Sequence, residues 1–396
     1  MEVILADQSL SISAGAQTYL VTLARFLEQL GHGVVLCTLD PGPFSERLEA
    51  EGFRVCRPDG LPEGGDAIVS QDAPIAWALA EQRPGVPQLF VMHSAEHEVG
   101  LPPQVPGGVG AVAVLNERVR ARAEAMALDV PIVRLRQPVD YMQFRPRSVP
   151  RAGGPRAVIL SHRLRGQRRD LITGALEDAG IPWEQVGAAA TPTLTPEDRL
   201  RDADIVIGYG RALIEGMAAG CAAYVCELGL DGWITPDTYA AIEADGFAGF
   251  ATGGVATRER LAADFAAYDP QLGIAARELA VTHHSPSVHA DAVGAALKGL
   301  APASAPVTPA GELARLVRRN WDLERTATQR TFHLYDRIDA LRGELDRLAA
   351  ELGAVWDRTH AAEARLEAVT RSRAYRLARA LGERGAAVRA RRRPRA

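Results

Sequence analysis

The feature that most constrains this chain is an alternation. Short apolar runs are followed by glycine-bearing turns, and these by segments with apolar residues at helical spacing. In the first cycle, residues 2–6 read as a strand and Ser9 to Gly15 as a small polar turn. Residues 16–30 then place Tyr19, Leu20, Leu23, Phe26, Leu27 and Leu30 on one helical face, Gly31 ends the helix, and 34–39 read as the next strand. A strand, a crossover helix and a second strand make a βαβ unit, whose right-handed crossover demands parallel pairing. Further strands are expected at 53–56, 67–70, 88–92, 109–115 and 132–135, with helices at 44–50, 74–82 and 117–127. This predicts one doubly wound, Rossmann-like domain over residues 1–147. A stretch rich in Pro, Arg and Gly, 145–156, reads as a linker. A second Rossmann-like domain is expected over 148–300. Its strands are expected at 157–161, 183–186, 205–207, 222–226 and 249–251, and its helices at 168–179, 211–219, 236–244, 258–268, 271–282 and 288–300.

Composition excludes several classes. With 396 residues, 47% hydrophobic and 24% charged, the chain has enough apolar material for two cores. Its four cysteines, Cys37, Cys56, Cys221 and Cys226, lie in or beside apolar runs without zinc-site spacing, so buried free thiols in a reducing cytoplasm are expected. The N-terminus reads as a strand rather than a signal peptide, and no apolar run approaches the roughly 20 residues of a membrane span. The basic residues are nearly all arginine, with Lys298 the single lysine, a bias of GC-rich bacterial coding.

The segment 204–220, DIVIGYGRALIEGMAAG, carries the first functional signal. A strand ends, Gly208-Tyr209-Gly210 turns, and a helix begins at Arg211. Such a turn exposes the first N–H groups of the helix, and with the helix dipole these attract phosphate. Arg211 at the mouth would add a charge-assisted bond, and Glu215, one turn in, could accept bonds from sugar hydroxyls. The plain alternative is a tightly packed βα unit.

The C-terminal part follows other rules. Residues 301–311 form a Pro/Ala linker. Over 312–372, Leu334, Ile338, Leu341, Leu345, Leu348, Leu352, Val355, Thr359, Ala362, Leu366 and Val369 alternate by four and three, a coiled-coil pattern. A helix with one apolar stripe must bury it, so a homodimer is expected, with the linker prolines detaching the helix from the globular part. The tail, 373–396, is basic: from Arg371 onward ten arginines face one acid, Glu383, for a net charge of +9, against −13 for residues 1–370. Such a tail suits an anionic membrane surface, or is simply a solvated end. Nucleic acid is not an expected partner.

Six segments in this order resemble a GT-B fold glycosyltransferase, with family 4-like details, over residues 1–300. Ser13-Ala14-Gly15-Ala16-Gln17 and the following helix resemble the family's glycine loop, with Ala14 and Gln17 departing from GG-x-E. VMHS carries the strand-end histidine at His93; VAVLNERVRARAEAM, RQPVDYMQFRP, LSHRLRGQRRDLI and ALIEGMAAGCAAYV resemble four later motifs. The resemblance implies transfer of a sugar from a nucleotide donor held by the second domain to a glycan or lipid-linked acceptor held by the first, with no metal or other cofactor. It implies that His93 is an active-site residue, with His97 and Glu98 as nearby competitors or a backbone-bonded histidine as the alternative. It places Arg163 and Arg168 at the two donor-phosphate positions, Glu215 on the donor ribose, and Gly15 where the loop approaches the phosphates. Tyr209 stacks on the base or merely packs. One departure stands out: the family's first glutamate, eight positions before Glu215, is Ile207 here. Glu227 or Asp231 would replace that contact, unless their segment is a surface loop. A catalytically degenerate GT-B scaffold, acting through nucleotide or glycan binding and its helix, is the rival reading. An epimerase of the same fold lacks a supporting constellation. Cytoplasmic placement, peripheral at the inner membrane face, completes the expectation.

Overall fold

The computed structural model describes residues 1–94, 97–104, 107–148, 153–187, 190, 191, 193, 195–300 and 310–391. Two compact units emerge, Met1–Arg330 and Thr331–Ala396. The first holds two sheets. Sheet one contains β1 (Glu2–Leu10), β2 (Gly33–Pro41), β3 (Val55–Cys56), β4 (Ala67–Ser70), β5 (Gln88–Met92), β6 (Ala111–Val114) and β7 (Ile132–Arg134), in the order β3-β2-β1-β4-β5-β6-β7. Every pairing in it is parallel. Its helices are α1 (Gly15–Gln29), α2 (Pro43–Ala50), α3 (Ala73–Gln82) and α4 (Glu117–Ala125).

Sheet two contains β8 (Ala157–Leu160), β9 (Trp183–Val186), β10 (Ile205–Gly208), β11 (Ala222–Cys226) and β12 (Leu230–Trp233), in the order β12-β11-β10-β8-β9. Around it lie α5 (Gly166–Asp178), α6 (Pro196–Arg201), α7 (Arg211–Ala218), α8 (Tyr239–Ala244), α9 (Arg258–Ala266), α10 (Gln271–His283) and α11 (Pro286–Gly299). Two α/β sheets of this kind, each covered by helices, pair in one unit because apolar strands buried on both faces require helices on both.

Three expectations are corrected. The fifth strand of sheet two is β12, antiparallel to β11, rather than 249–251. Trp233 fixes it by packing its ring against Tyr224, with centroids 4.8 Å apart. The 249–251 segment crosses over it, so close that a Cβ on Gly229 would lie 2.1 Å from the Gly249 carbonyl oxygen. Second, α11, expected with the second domain, crosses back to the first. Its Ala290, Val293 and Leu297 enter the core formed by α1 and β1, because α1 offers the matching apolar face of Leu20, Leu23 and Leu27.

The third correction concerns the long helix α12 (Ala310–Arg371), which is followed by α13 (Arg373–Arg391). Linker residues 301–309 and tail residues 392–396 lie outside the described residues. The prolines do not detach the start of α12. Within the first unit, Leu313, Ala314 and Val317 pack on Ala73 and Trp77 of α3, and the Trp321 ring meets His97 edge-on at 5.9 Å. These apolar residues precede the heptad stripe. In the second unit the stripe is bare: Leu345 is 65% and Leu352 71% exposed. No helix of the described residues is long and apolar enough to cross a membrane.

Candidate functional site

Strand ends and helix starts of both sheets meet at a cavity of about 320 Å3. From the first sheet come the 13–16 loop, Thr18, His93 and Asn116; from the second come Ser161, Arg163, Gly187, Tyr209, Gly210, Arg211, Glu215 and Leu228. The structure therefore brings Gly15, His93, Arg163, Tyr209, Gly210, Arg211 and Glu215 to one place. Gly208, Arg168, Glu227 and Asp231 do not line it.

The polarity of the cavity begins with its backbone. Helix α1 starts at Gly15 behind Ala14, and α7 starts at Arg211 behind Gly210. Neither has a capping side chain or an acid in its first turn, so both positive helix ends face the cavity uncompensated. The turn into α7 requires glycine. Gly210 has φ +58° with ψ −135°, a region closed to side-chain-bearing residues, and a Cβ on Gly208 would lie 2.8 Å from the Leu160 carbonyl oxygen. Gly15 lies opposite Arg211 with ordinary spacing: a Cβ there would sit 3.8 Å from the Arg211 Cβ.

Arg211 lines the cavity, but its charge is committed elsewhere. It is 7% exposed. Its Nε donates to Glu215 Oε1 at 2.8 Å, Nη1 to the Pro138 carbonyl at 2.7 Å and Nη2 to Thr22 Oγ1 at 3.0 Å. It acts as a strap between the domains while still lining the cavity. Burial pushes the Glu215 carboxyl up, while Arg211 pulls it down. Arg163 is an exposed cation of the site, reaching the lining from the turn after β8, and Arg118 is a second cation in the lining. Arg168, on the first turn of α5, instead approaches the Cys226 thiol, which burial raises to about 11 and Arg168 partly restores.

His93 follows β5, where strand ends meet ligands in parallel sheets. Its Nε2 is 2.8 Å from Gln71 Oε1 and its ring stands edge-on to Tyr19 at 4.7 Å. Burial, with the charges of Arg211 and His289 nearby, holds it down at about 3, so it is neutral near pH 7. Tyr19 in turn bonds His289 Nε2 of α11 at 2.8 Å. His97 faces α12 instead, 3.5 Å from Glu324.

Ile207 is buried in β10, so no acid stands there. Glu215 is the one acid lining the cavity among the described residues. Glu227 lies one layer behind, at the end of β11, accepting from Ser161 Oγ at 2.7 Å. Burial raises it to about 7, and its Oε2 has no partner among the described residues. Asp231 is structural: it accepts from Thr252 N at 2.7 Å and Thr252 Oγ1 at 2.9 Å, holding the crossing segment to β12. Sequence reading passed over Gln71 and Ser161. Both immediately follow strands in parallel sheets, the position that singled out His93.

No protein-family model matches the chain, and a search of curated proteins finds no match. Solved structures do resemble it. A glycosyltransferase from Rickettsia africae superposes with a TM-score of 0.54 at 13% identity, covering 75% of this chain and 97% of that one. The Anabaena protein HepE, solved with UDP and glucose, gives 0.54 at 12% identity, covering 75% and 99%. TarM gives 0.50 at 10%, covering 75% and 99%. At these identities the likeness is one of fold, and the fold is GT-B.

Proposed function

We propose that the chain is a glycosyltransferase that moves a sugar from a nucleotide-diphosphate donor to a glycan or lipid-linked acceptor. The observation that carries this reading is the convergence of two uncapped helix N-termini, one per domain, on a cavity that also holds Arg163, His93 and Glu215. When the bond from the anomeric carbon to the donor phosphate breaks, negative charge grows on the leaving diphosphate. The first N–H groups of α1 and α7 and the Arg163 guanidinium are placed to receive it without a metal ion. The acceptor hydroxyl oxygen bonds the anomeric carbon, and its proton passes to the departing phosphate oxygen. Neutral His93 orients hydroxyls as donor or acceptor rather than as a charge. Glu215 lines the cavity on the side of the donor ribose while its Oε1 stays on Arg211. A crystal structure of HepE with UDP and glucose supports the choice of donor class.

The same reading has the heptad stripe from Leu334 to Val369 pair with a second copy, and the basic tail, 373–396, rest on the anionic inner face of the cell membrane. Calorimetric titration with UDP, GDP and TDP, followed by donor-sugar turnover, tests the core of it. One nucleotide is expected to bind, and Arg163→Ala to weaken it by about tenfold or more, the loss of a charge-assisted bond. If none of the three binds, the donor site is wrong.

Buried Ile207 favours a second reading, a GT-B protein that binds nucleotide sugars without transferring them. Nucleotide binding with no sugar release to water or to any acceptor would select it.

A further inference from the structure

A second chamber, of about 410 Å3, shares a wall with the cleft. In the 11–18 segment, Ser13 to Ala16 face the cleft, while Ser11, Ile12 and Gln17 face the chamber. Its floor is the carboxyl ends of β1 and β2, with Gln8 and Asp40, together with Asp72 ahead of α3. Its roof is the docked start of α12, with Arg318, Trp321 and Arg325. The size falls within the roughly 300–1,000 Å3 of small-molecule sites.

Its floor and roof differ in chemistry. The floor presents the Asp40 and Asp72 carboxylates, with the Gln8 side chain between β1 and the chamber. Gln8 is only 8% exposed, yet its Oε1 has no hydrogen-bond partner among the described residues. A buried acceptor in that state calls for a donor. Burial raises the carboxyls of Asp72 and its neighbour Asp7, and the Asp7 charge raises Asp72 further. On the opposite side Trp321 offers an indole, flanked by Arg318, Asp322 and Arg325. Acceptors below and an aromatic face above fit a ligand with many hydroxyls and an apolar face, which is the chemistry of a sugar ring.

We propose that this chamber binds a sugar ring, stacked on Trp321 and hydrogen-bonded through Gln8, Asp40 and Asp72. The start of α12 is thus part of a ligand site and not merely a stalk. That this ring belongs to the acceptor rests on the glycosyltransferase reading; sugar binding in the chamber does not. A buried link joins the two cavities: Gln71 donates to Asp7 and its amide oxygen meets His93 Nε2 at 2.8 Å.

The full chain is titrated with the methyl glycosides of glucose, galactose, mannose, rhamnose and N-acetylglucosamine, and separately with UDP. At least one glycoside is expected to bind. Trp321→Ala should weaken it about tenfold, Gln8→Leu should weaken it as well, and Trp321→Phe should keep it, all with unchanged helix content by circular dichroism. UDP affinity should be the same in all three variants. If no glycoside binds, or if Trp321→Ala and Gln8→Leu bind as tightly as the parent, the proposal is overturned. If UDP fails but glycoside binding follows these variants, the nucleotide-sugar reading falls and the chamber stands.

Discussion

Helices α11 and α12 are neighbours in the chain, and both carry apolar residues at helical spacing. Yet α11 buries Val293 completely against the first domain, whereas Leu345 on α12 is 65% exposed. The difference lies in what surrounds the stripe. Over 286–299, α11 has few charges, so its flanks pack closely on α1 and β5. The 331–371 part of α12 is lined with Arg, Glu and Asp on both sides of a narrow stripe. Such a stripe suits another stripe rather than a broad core. Periodicity fixes which face is apolar; the flanking charges decide what kind of partner can cover it.

The contrast can be broken at its strong end first. Val293→Asp puts an unpaired carboxylate in the core and is expected to cost about 4 kcal/mol in urea unfolding. A loss below about 1 kcal/mol would show that α11 does not belong to that core.

Glu227 sharpens it through protonation, because only a buried group pays for its charge this way. Its carboxyl is held near 7 against an ordinary 4.5, so the folded chain binds more protons between those values. Stability from this group is present below pH 4.5 and is lost as the pH rises to about 7. Glu227→Gln, which mimics the protonated form and keeps the bond from Ser161, should therefore gain on the parent by about 3 kcal/mol between pH 4.5 and pH 8. A gain that does not change with pH would refute the assignment.

The weakest effect on the body belongs to the exposed end. Leu345→Asp should change unfolding of the body by less than about 0.5 kcal/mol, yet convert a dimer to a monomer by light scattering. A parent chain that is already monomeric at micromolar concentration would remove the dimer proposal.

How much of this was legible in the sequence depended on locality. The seven strands of sheet one follow from runs bounded by glycine and polar turns, and α7 from its own glycines. The interdomain bonds of Arg211 were not readable because its partners Pro138 and Thr22 lie 73 and 189 residues away, and no short window contains them. Strand β12 escaped because Leu230-Asp231-Gly232-Trp233 has one polar residue and one glycine in four, and its pairing rests on Trp233 reaching Tyr224. The docked start of α12 escaped because the heptads farther along drew the eye from Val317 and Trp321. In the cleft, His93 and Gly210 were readable from their places at strand and helix ends. Gln71 shares that place at a strand end; what stayed hidden is that it joins Asp7 to His93, an arrangement that only the fold creates.

The return of α11 also has a consequence in time. The strands of sheet one are complete by residue 134, but Tyr19 meets His289 across 270 positions. On the ribosome, the outer face of α1 must wait, wet and apolar, until almost the whole globular body has been made. Contacts of such separation slow folding and leave intermediates prone to aggregate. A fragment ending at the linker near residue 148 would keep every strand of its sheet and still lack part of its own core. The two sheets are thus halves in architecture, but the chain is not two independently expressible proteins.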